Sequence, residues 1–390
     1  MRQVLEDLAQ DLSTRLSGAG ELLCNAVALL RRKSSSPPEH NFAGQICIVT
    51  GGNAGVGLAT SEALVARGAQ VILACRDRSR AEAAAKKLNG INSLQGCQNN
   101  PVQVSSLDLA SFDSVRTFAS DFNARNVPLA VLICNAGVMA PPRRLETQDG
   151  CESQFQVNYL GHWLLTHQLL TGQQQLRKTQ ASQPMQQTQQ PPHSAPNKQH
   201  HSSVLGSMAG SGQQSQHGAE CGERQGTRVV MLTSMTHSAG RIRFDDLHAK
   251  KGYNGFHRYA DSKLAILLAV REFAKRMDRH TDGVDSIVAA HPGLLRTDLA
   301  RKWLHNGCPR LLRPLGIPII DFLFPRVFLP PEYAVQTILH AATAPGEMVH
   351  GRYVAGSKVV KPAKTAQDDA VARRLWDVSC ELTHLVPAYL

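Results

Sequence analysis

The chain of 390 residues is long enough to bury a large core, and a hydrophobic content of 42% with 5% aromatic residues is that of a soluble globular protein. A formal net charge of +11 favours anionic partners such as nucleotides, phosphates or a membrane surface, although a basic surface that only aids solubility explains it equally well. Nine cysteines without regular spacing argue against a disulfide framework and a structural zinc site, and predict a reducing compartment.

Residues 1–42 are predicted to form an N-terminal segment with a linker. Leu5, Leu8, Leu12 and Leu16 recur at helical spacing, which favours a short amphipathic helix, and an apolar patch, basic residues and a Ser/Pro stretch follow. Membrane attachment is one interpretation, and a helix packed on the body or a disordered tail is the favoured one. No stretch reaches the roughly 18 apolar residues of a transmembrane span, so none is expected. The compartment stays open between the cytosol and an organelle, including a plastid.

Short runs that are apolar on both faces dominate the chain from Gln45 onward. They are ICIVT (46–50), QVILAC (70–75), VQVSSLDL (102–109), LAVLICNAG (129–137), RVVMLTS (228–234) and SIVAAHPG (286–293). Segments with helical periodicity separate most of them, and strands buried on both faces that alternate with helices indicate a parallel sheet covered by helices. We therefore predict an α/β fold: a Rossmann-type doubly wound parallel sheet of six or seven strands, in a single domain over residues 43–385.

The segment from Gly172 to Gly226 interrupts this pattern. It is rich in Gln, Ser, His, Pro and Gly and has almost no apolar residues to bury, so we expect a disordered insert. The insert follows a helix and precedes the strand RVVMLTS. A helix-to-strand loop lies at the edge of the sheet opposite to the strand carboxyl ends, so the insert should leave a ligand site there untouched.

A glycine-rich turn follows the first predicted strand. Gly51, Gly55 and Gly57 form the pattern TGxxxGxG between the strand ICIVT and a helical segment. Glycines permit a tight turn and let the backbone approach a pyrophosphate at the amino end of the helix, so the turn predicts dinucleotide binding. Arg76 directly follows the second strand, where a guanidinium pairs with the 2′-phosphate of NADP. Asp77 beside it leaves NAD as the alternative, and NADP(H) is favoured.

A tyrosine and a lysine in YADSK are candidates for acid–base chemistry. Tyr259 and Lys263 are four residues apart in a strongly helical segment, so they share one helix face. A nearby ammonium favours the phenolate, so we expect it to lower the tyrosine pKa and produce a general acid/base for an alcohol oxygen. Ser234 ends one predicted strand and Asn158 lies on the preceding helix, at the edge where a doubly wound sheet builds its site.

These motifs together resemble the short-chain dehydrogenase/reductase family over about residues 43–385. The motifs, in chain order, are TGxxxGxG, NAG, Asn158, Ser234, YxxxK and PGxxxT. Within the family, LACRD, LDLASFDSVRTFA, NYLGHWLLTHQLL, GRIRFDDL and HPGLLRTDLAR resemble the retinol dehydrogenase-like branch, with similarity to WW-domain oxidoreductases and a chloroplast-envelope group. Cys134 departs from the family's usual asparagine. The N-terminal membrane helix of animal retinol dehydrogenases is here a short, broken apolar patch.

The resemblance implies roles for individual residues. Tyr259 would be the catalytic acid/base and Lys263 would lower its pKa, while Ser234 would polarise the substrate oxygen and Asn158 would support a proton relay. Arg76 would bind the 2′-phosphate, Asp108 the adenine and Thr297 the carboxamide. The residues implied to bind the cofactor are Thr50, Gly51, Asn53, Gly55, Val56, Gly57, Arg76, Asp108, Leu109, Asn135, Ala136, Gly137, Tyr259, Lys263, Pro292, Gly293 and Thr297. No metal site is expected.

We therefore predict an NADP-dependent oxidoreductase that interconverts an alcohol and a carbonyl on a hydrophobic retinoid-like, lipid-like or xenobiotic substrate.

The segment from Leu294 to Pro331 mixes apolar and basic residues, which suits a hydrophobic lid with peripheral membrane contact, or a lid packed on the body with solvated arginines. A homodimer is a further expectation, and no nucleic acid partner is expected. The alternative is an NADP(H)-sensing interaction module at a membrane with little catalytic activity. A light-driven reductase of a chlorophyll precursor is disfavoured, since no cysteine-bearing insert marks that branch.

Overall fold

The computed structural model describes residues 40–94, 101–182, 226–280, 285–297, 301, 304–305 and 313–385. The predicted N-terminal helix therefore lies outside the described residues, as does most of the predicted insert.

One sheet runs through the described part of the chain. Its strands are β1 (Ile46–Thr50), β2 (Gln70–Cys75), β3 (Val102–Ser106), β4 (Val131–Cys134), β5 (Arg228–Leu232), β6 (Ser286–His291), β7 (Tyr353–Ala355) and β8 (Lys358–Val360). The spatial order is β3-β2-β1-β4-β5-β6-β7-β8, and every neighbouring pair is parallel except β7 and β8. This confirms the predicted doubly wound sheet, whose order reverses between β1 and β4.

Helices connect the strands and cover both faces of the sheet. They are α1 (Gly55–Val65), α2 (Arg78–Leu94), α3 (Phe112–Asn123), α4 (Ser153–Phe155), α5 (Gly161–Ser182), α6 (Gly255–His280), α7 (Arg313–Val327), α8 (Glu332–Thr343), α9 (Gly346–Val349) and α10 (Asp369–Leu382). One core lies between the sheet and α1, α2 and α8, and the other lies between the sheet and α3, α5, α6 and α10. Burial on both faces explains why the strands read as continuous apolar runs.

The sheet extends beyond the predicted strands through a short hairpin. β7 and β8 have three residues each and are joined by Gly356 and Ser357, whose φ angles are +55° and +58°. Two positive φ angles in a two-residue loop are typical of a type I′ turn, which matches the twist of paired strands. Three residues are too few to give a recognisable period, so the sequence alone did not reveal these two strands.

The helix before the predicted insert is longer than expected. α5 continues to Ser182, beyond Gly172, where the sequence predicts the start of the insert. The buried side chain of Gln173 accepts a hydrogen bond from Leu129 N (2.8 Å) and donates one to Val127 O (3.1 Å). These bonds anchor the Gln-rich segment to the loop before β4. The predicted start of the insert at Gly172 is therefore wrong, because residues 172–182 are helical. The rest of the predicted insert, residues 183–225, lies outside the described residues.

Candidate active site

The carboxyl ends of four neighbouring strands lie together at one edge of the sheet. β1 ends at Thr50, β4 at Cys134, β5 at Leu232 and β6 at His291, and the predicted motifs follow directly after these residues. The edge includes the point where the strand order reverses, which is where open α/β sheets bind ligands. The topology therefore brings the glycine turn, NAG, Ser234 and PGxxxT to one cleft.

The glycine turn is shaped as a backbone cradle. Gly51 and Gly55 have φ angles of +63° and +52°, a region that favours glycine. A Cβ on Gly57 would lie 2.3 Å from Gly51 O, whereas one on Gly55 would meet only the Thr297 methyl at 3.9 Å. No side chain caps the amino end of α1 at Ala54, and its first turn carries no acidic residue. The turn therefore leaves helix N–H groups for an anion, and it fits a pyrophosphate.

Thr50 and Asn135 fasten this cradle to the end of β4. The buried Thr50 hydroxyl accepts hydrogen bonds from Asn135 N (2.9 Å) and Ala136 N (3.0 Å). The Asn135 amide donates to Thr50 O at 2.9 Å and to Gly51 O at 3.4 Å. These two side chains therefore shape the cofactor turn by bonding within the protein. Asn53 and Val56 lie half-buried in the same turn and helix start.

Asp77 and Arg78, which follow β2, have partners within α2. Asp77 Oδ1 accepts a hydrogen bond from Arg80 N (3.0 Å) and thereby caps the start of α2. Arg78 pairs with Glu82 at 2.7 Å one turn along the same helix. Arg76 is exposed at the end of β2, and its adjacent acid is occupied by the helix cap. Asp77 therefore has a structural role at the start of α2.

The predicted adenine contacts lie after β3. Asp108 is half-buried, and its Oδ1 accepts a hydrogen bond from Ala110 N at 2.9 Å. Leu109 is buried, and it packs so closely on Gly161 that a Cβ there would lie 2.7 Å from Leu109 O. Leu109 is thus a core residue that fixes the loop after β3. Asp108, in the same loop, is partly accessible to solvent.

The serine and tyrosine predicted to be catalytic are neighbours in the structure. Ser234 follows β5 and its side chain also accepts a hydrogen bond from Thr236 N at 3.3 Å, which caps the 3₁₀ turn Met235–Ala239. The Ser234 hydroxyl lies close enough to the Tyr259 phenol to act on the pKa of that phenol, which it lowers. Both residues are half-buried, so they line a surface that a small molecule can reach. The structure therefore brings together the two hydroxyls predicted to bind the substrate oxygen.

Lys263 lies on the same face of α6 as Tyr259. Its Nζ is over the Tyr259 ring, 5.5 Å from the ring centroid, and donates to Leu232 O at 3.0 Å. The expected lowering of the tyrosine pKa is wrong for this arrangement, because burial raises the pKa of Tyr259 to about 12, against a smaller opposing effect of the Ser234 hydrogen bond. Burial also lowers the pKa of Lys263 to about 8. Desolvation, which disfavours the charged form of each group, is the largest cause of both shifts.

Asn158 lies in a single π-helical turn, Gln156–Leu160, ahead of α5. Its amide Nδ2 donates to Val138 O (2.9 Å) and Ser262 Oγ (3.0 Å), and its Oδ1 accepts from Val138 N (2.8 Å). Gly137 lies against this side chain, since a Cβ there would be 3.1 Å from Asn158 Oδ1 and 4.0 Å from Lys263 Nζ. The amide therefore holds the loop after β4 against α6, the helix that carries Tyr259 and Lys263. π-turns often occur at functional sites.

The loop after β6 closes the far side of the cleft. Gly293 has a φ of +100°, and Pro292 and Thr297 are half-buried. The methyl group of Thr297 faces Gly55 of the glycine turn. The PGxxxT motif therefore lies beside the glycine turn at the same edge of the sheet.

Three buried side chains of the site were not found by sequence reasoning. Gln154 bonds Ala140 N (2.6 Å) and Gly255 O (3.0 Å), His162 bonds Asn158 O and Thr50 Oγ1, and His237 bonds Ser234 O (2.8 Å). The only sequence signal was the presence of polar residues inside apolar helical segments. That pattern does not tell which element lies opposite each side chain.

Within the ranges that the structure describes, no helix combines the length and hydrophobicity needed to cross a bilayer. Those ranges also contain no group of three or more His, Cys, Asp or Glu residues that could hold a metal ion.

Comparisons with known proteins place these features in a family. The short chain dehydrogenase family profile matches residues 45–180. The chain is 35% identical to human retinol dehydrogenase 13 (Homo sapiens) over 372 residues, 95% of this chain and 92% of that protein. It is also 35% identical to retinol dehydrogenase 12 of Bos taurus, over 87% of this chain and 86% of that protein. A crystal structure of a protein from Mycobacterium paratuberculosis covers 90% of this chain and 97% of that one, with a TM-score of 0.60 and 27% identity.

Proposed function

The chain belongs to the short-chain dehydrogenase/reductase family, in its retinol dehydrogenase-like branch, and on that premise we propose that it uses NADP(H) to interconvert an alcohol and a carbonyl on a hydrophobic substrate. The observation that carries this proposal is the contact between Ser234 and Tyr259, with the Lys263 ammonium over the phenol ring. Two hydroxyls that converge on a reachable surface are suited to hold one substrate oxygen.

The proton chemistry follows from these side chains. With a pKa of about 12, Tyr259 keeps its proton at neutral pH, so the phenol is a proton donor to a carbonyl oxygen that is being reduced. Ser234 donates a hydrogen bond to the same oxygen and stabilises the charge that develops there. The Lys263 ammonium favours the phenolate that remains after proton transfer. A bound nicotinamide supplies the hydride to the carbon.

The cofactor preference rests on the residues after β2. Arg78 is paired with Glu82, whereas the exposed Arg76 lies directly at the end of β2, where a guanidinium can bind a 2′-phosphate. An acidic residue that bonds the ribose hydroxyls at this strand end would favour NAD instead. The acidic residue here is Asp77, and one of its carboxylate oxygens caps α2. This supports NADP(H) as the cofactor.

A hydrophobic substrate is supported by the relatives and by one exposed aromatic side chain in the predicted lid. The similar proteins are named retinol dehydrogenases, and retinol is a hydrophobic alcohol. In this chain the helix α7 exposes 61% of Phe322, in the segment that follows PGxxxT. Peripheral contact with a membrane and formation of a homodimer remain predictions.

The test is the oxidation of NADPH by the purified protein with a panel of hydrophobic aldehydes and ketones. We expect turnover in the wild type and a loss of at least about 100-fold in Tyr259→Phe, since positioned acid–base groups contribute at least that much. The matched control is Tyr253→Phe. Tyr253 is another half-buried tyrosine, and its hydroxyl bonds Pro141 O (3.1 Å) and Gln154 Nε2 (3.2 Å).

The two variants separate catalysis from folding. Tyr253→Phe should keep turnover within about a few-fold of the wild type, because it removes two hydrogen bonds that contribute roughly 1 kcal/mol each to stability and that do not involve Ser234 or Tyr259. Turnover that survives Tyr259→Phe, or that is absent over the whole panel, would refute the proposal. Partner binding that changes with NADPH and persists in Tyr259→Phe would instead favour the interaction module.

A further inference from the structure

We propose that His162 is a positioning residue that couples the nucleotide-binding turn to Asn158. His162 is buried on α5, and its ring lies between the two elements. Its Nδ1 is 3.2 Å from Asn158 O, and its Nε2 is 2.9 Å from Thr50 Oγ1. The imidazole therefore connects the π-helical turn that carries Asn158 with Thr50, at the end of β1, which precedes the glycine turn. The inference rests on the proposed function, which defines what is being positioned.

The hydrogen bonds determine the tautomer of this ring. A carbonyl oxygen only accepts, so Nδ1 must carry a hydrogen to bond Asn158 O. Thr50 Oγ1 already accepts from Asn135 N and Ala136 N, so its own hydrogen is available to an acceptor. In the neutral ring with Nδ1–H, Nε2 is that acceptor. The carbonyl of Ile133 is the other candidate for this hydrogen, but it is farther from Thr50 Oγ1, at 3.4 Å.

The environment favours the neutral ring. Burial lowers the pKa of His162 to about 4, and the nearby Lys263 ammonium acts in the same direction. A second buried cation beside Lys263 would be unfavourable, so the ring stays an acceptor at Nε2 through the neutral range. His162 is therefore suited to fix geometry and is unsuited to exchange protons with the substrate.

Each end of the connection reaches a different part of the site. At the Thr50 end, the same hydroxyl holds the backbone of Asn135 and Ala136, and a Cβ on Gly51 would lie 3.1 Å from Ala136 Cβ. At the other end, the Asn158 amide has its hydrogens engaged by Val138 O and Ser262 Oγ. A shift of the His162 ring would thus move both the glycine turn and the loop after β4, which lies beside Lys263.

The same helix provides a matched control in His167. This histidine is also buried, and burial lowers its pKa to about 4 as well. Its ring packs beside Trp163 and Trp376, and among the described residues its Nε2 has no hydrogen-bond partner. Replacing either histidine by phenylalanine keeps a ring of similar shape in the core, but only His162→Phe removes a connection between two parts of the site.

The first measurement does not require activity. In ¹⁵N-histidine-labelled protein, we expect the His162 signal, assigned by its loss in His162→Phe, to show a neutral Nδ1–H ring from pH 5.5 to 8. We also expect His162→Phe to shift the amide resonances of Asn135, Ala136 and Val138, and His167→Phe to leave them in place. An Nε2–H ring, a titration near pH 6.5, or shifts confined to α5 would overturn the proposal, whether or not turnover is found.

The second measurement is kinetic. With active wild-type protein we expect His162→Phe to lower kcat/KM about 10- to 100-fold, as small misplacements of reacting groups do, and His167→Phe to stay within about twofold. In the Thr50→Val background, His162→Phe should lower kcat/KM less than it does in the wild type. If His162→Phe does not fold, a second comparison replaces it: Thr50→Ser should retain at least about tenfold more kcat/KM than Thr50→Val, because serine keeps the hydroxyl. Equal losses in the two histidine variants, or fully multiplicative effects, would refute the coupling.

Discussion

Thr297 faces Gly55 across the cleft, with its methyl carbon 3.9 Å from the position that a Cβ of residue 55 would occupy. The glycine-rich turn and a loop some 240 residues later thereby approach each other beside the space in front of α1. Since the amino end of α1 carries no side-chain cap, its N–H groups face this space, which fits the pyrophosphate of a nucleotide.

The first prediction concerns that space. Gly55→Ala should raise the Kd for NADPH at least about tenfold, because its methyl group would enter the cleft beneath the bound pyrophosphate. Gly44→Ala is the control, since Gly44 has a similar φ of +74° but nothing within 4 Å of the added Cβ. Both variants carry the strain of a left-handed alanine, about 1–2 kcal/mol, and only Gly55→Ala should weaken binding. Equal affinities measured by NADPH fluorescence titration would contradict the predicted cradle.

The second prediction concerns cofactor choice. Arg76→Ala should raise the KM for NADPH roughly 10- to 100-fold and leave the KM for NADH nearly unchanged, because a charge-assisted bond to a 2′-phosphate contributes about 1.5–3 kcal/mol. Arg78→Ala should change neither constant much, since Arg78 pairs with Glu82. Steady-state kinetics with both nucleotides provide the test, and a parallel loss with NADH would remove Arg76 from the 2′-phosphate site.

The third prediction is a dependence of stability on pH. Lys263 has a pKa of about 8 in the fold, below its ordinary value of 10.5. Between these two values the unfolded chain binds a proton that the native chain has lost, so this group makes the free energy of unfolding rise with pH. The rise is up to about 3 kcal/mol.

Lys263→Met should abolish this rise, increase stability at pH 7 and eliminate turnover. Lys86→Met, at an exposed site on α2, should leave the pH profile of the wild type intact. Urea unfolding at pH 7, 8 and 10 measures the effect. A wild-type profile in Lys263→Met would mean that the lysine is not desolvated as the structure indicates.

The fourth prediction concerns the C-terminal helix. Trp376 of α10 packs edge-on against Trp163 (5.0 Å between ring centroids) and Phe273 (4.7 Å), and is fully buried. Trp376→Ala should destabilise the protein by about 3–5 kcal/mol, as large-to-small changes in a core do. Arg373→Ala on the exposed face of the same helix should have little effect. Chemical denaturation compares the two, and a loss below about 1 kcal/mol in Trp376→Ala would show that α10 is not part of the core.

Much of the fold could be predicted because its signals are local. β1, β2 and the glycine turn combine an apolar run, residues with special backbone freedom and a following helical segment, all within about 30 residues of sequence. The spacing of Tyr259 and Lys263 likewise placed both on one helix face. In contrast, the hairpin of β7 and β8 is too short to show a period, and its turn is recognisable only from the backbone angles of Gly356 and Ser357.

What the sequence by itself determined is which chemical groups meet at one sheet edge, because the alternation of strands and helices settles where each strand ends. The tertiary structure decided how those groups affect one another. Desolvation raises the pKa of Tyr259 although Lys263 lies nearby, and the helix cap occupies Asp77 beside Arg76. The ring of His162 reaches from Asn158 to Thr50 across more than a hundred residues of sequence. Burial and contacts between distant segments depend on the complete packing, which no local pattern encodes.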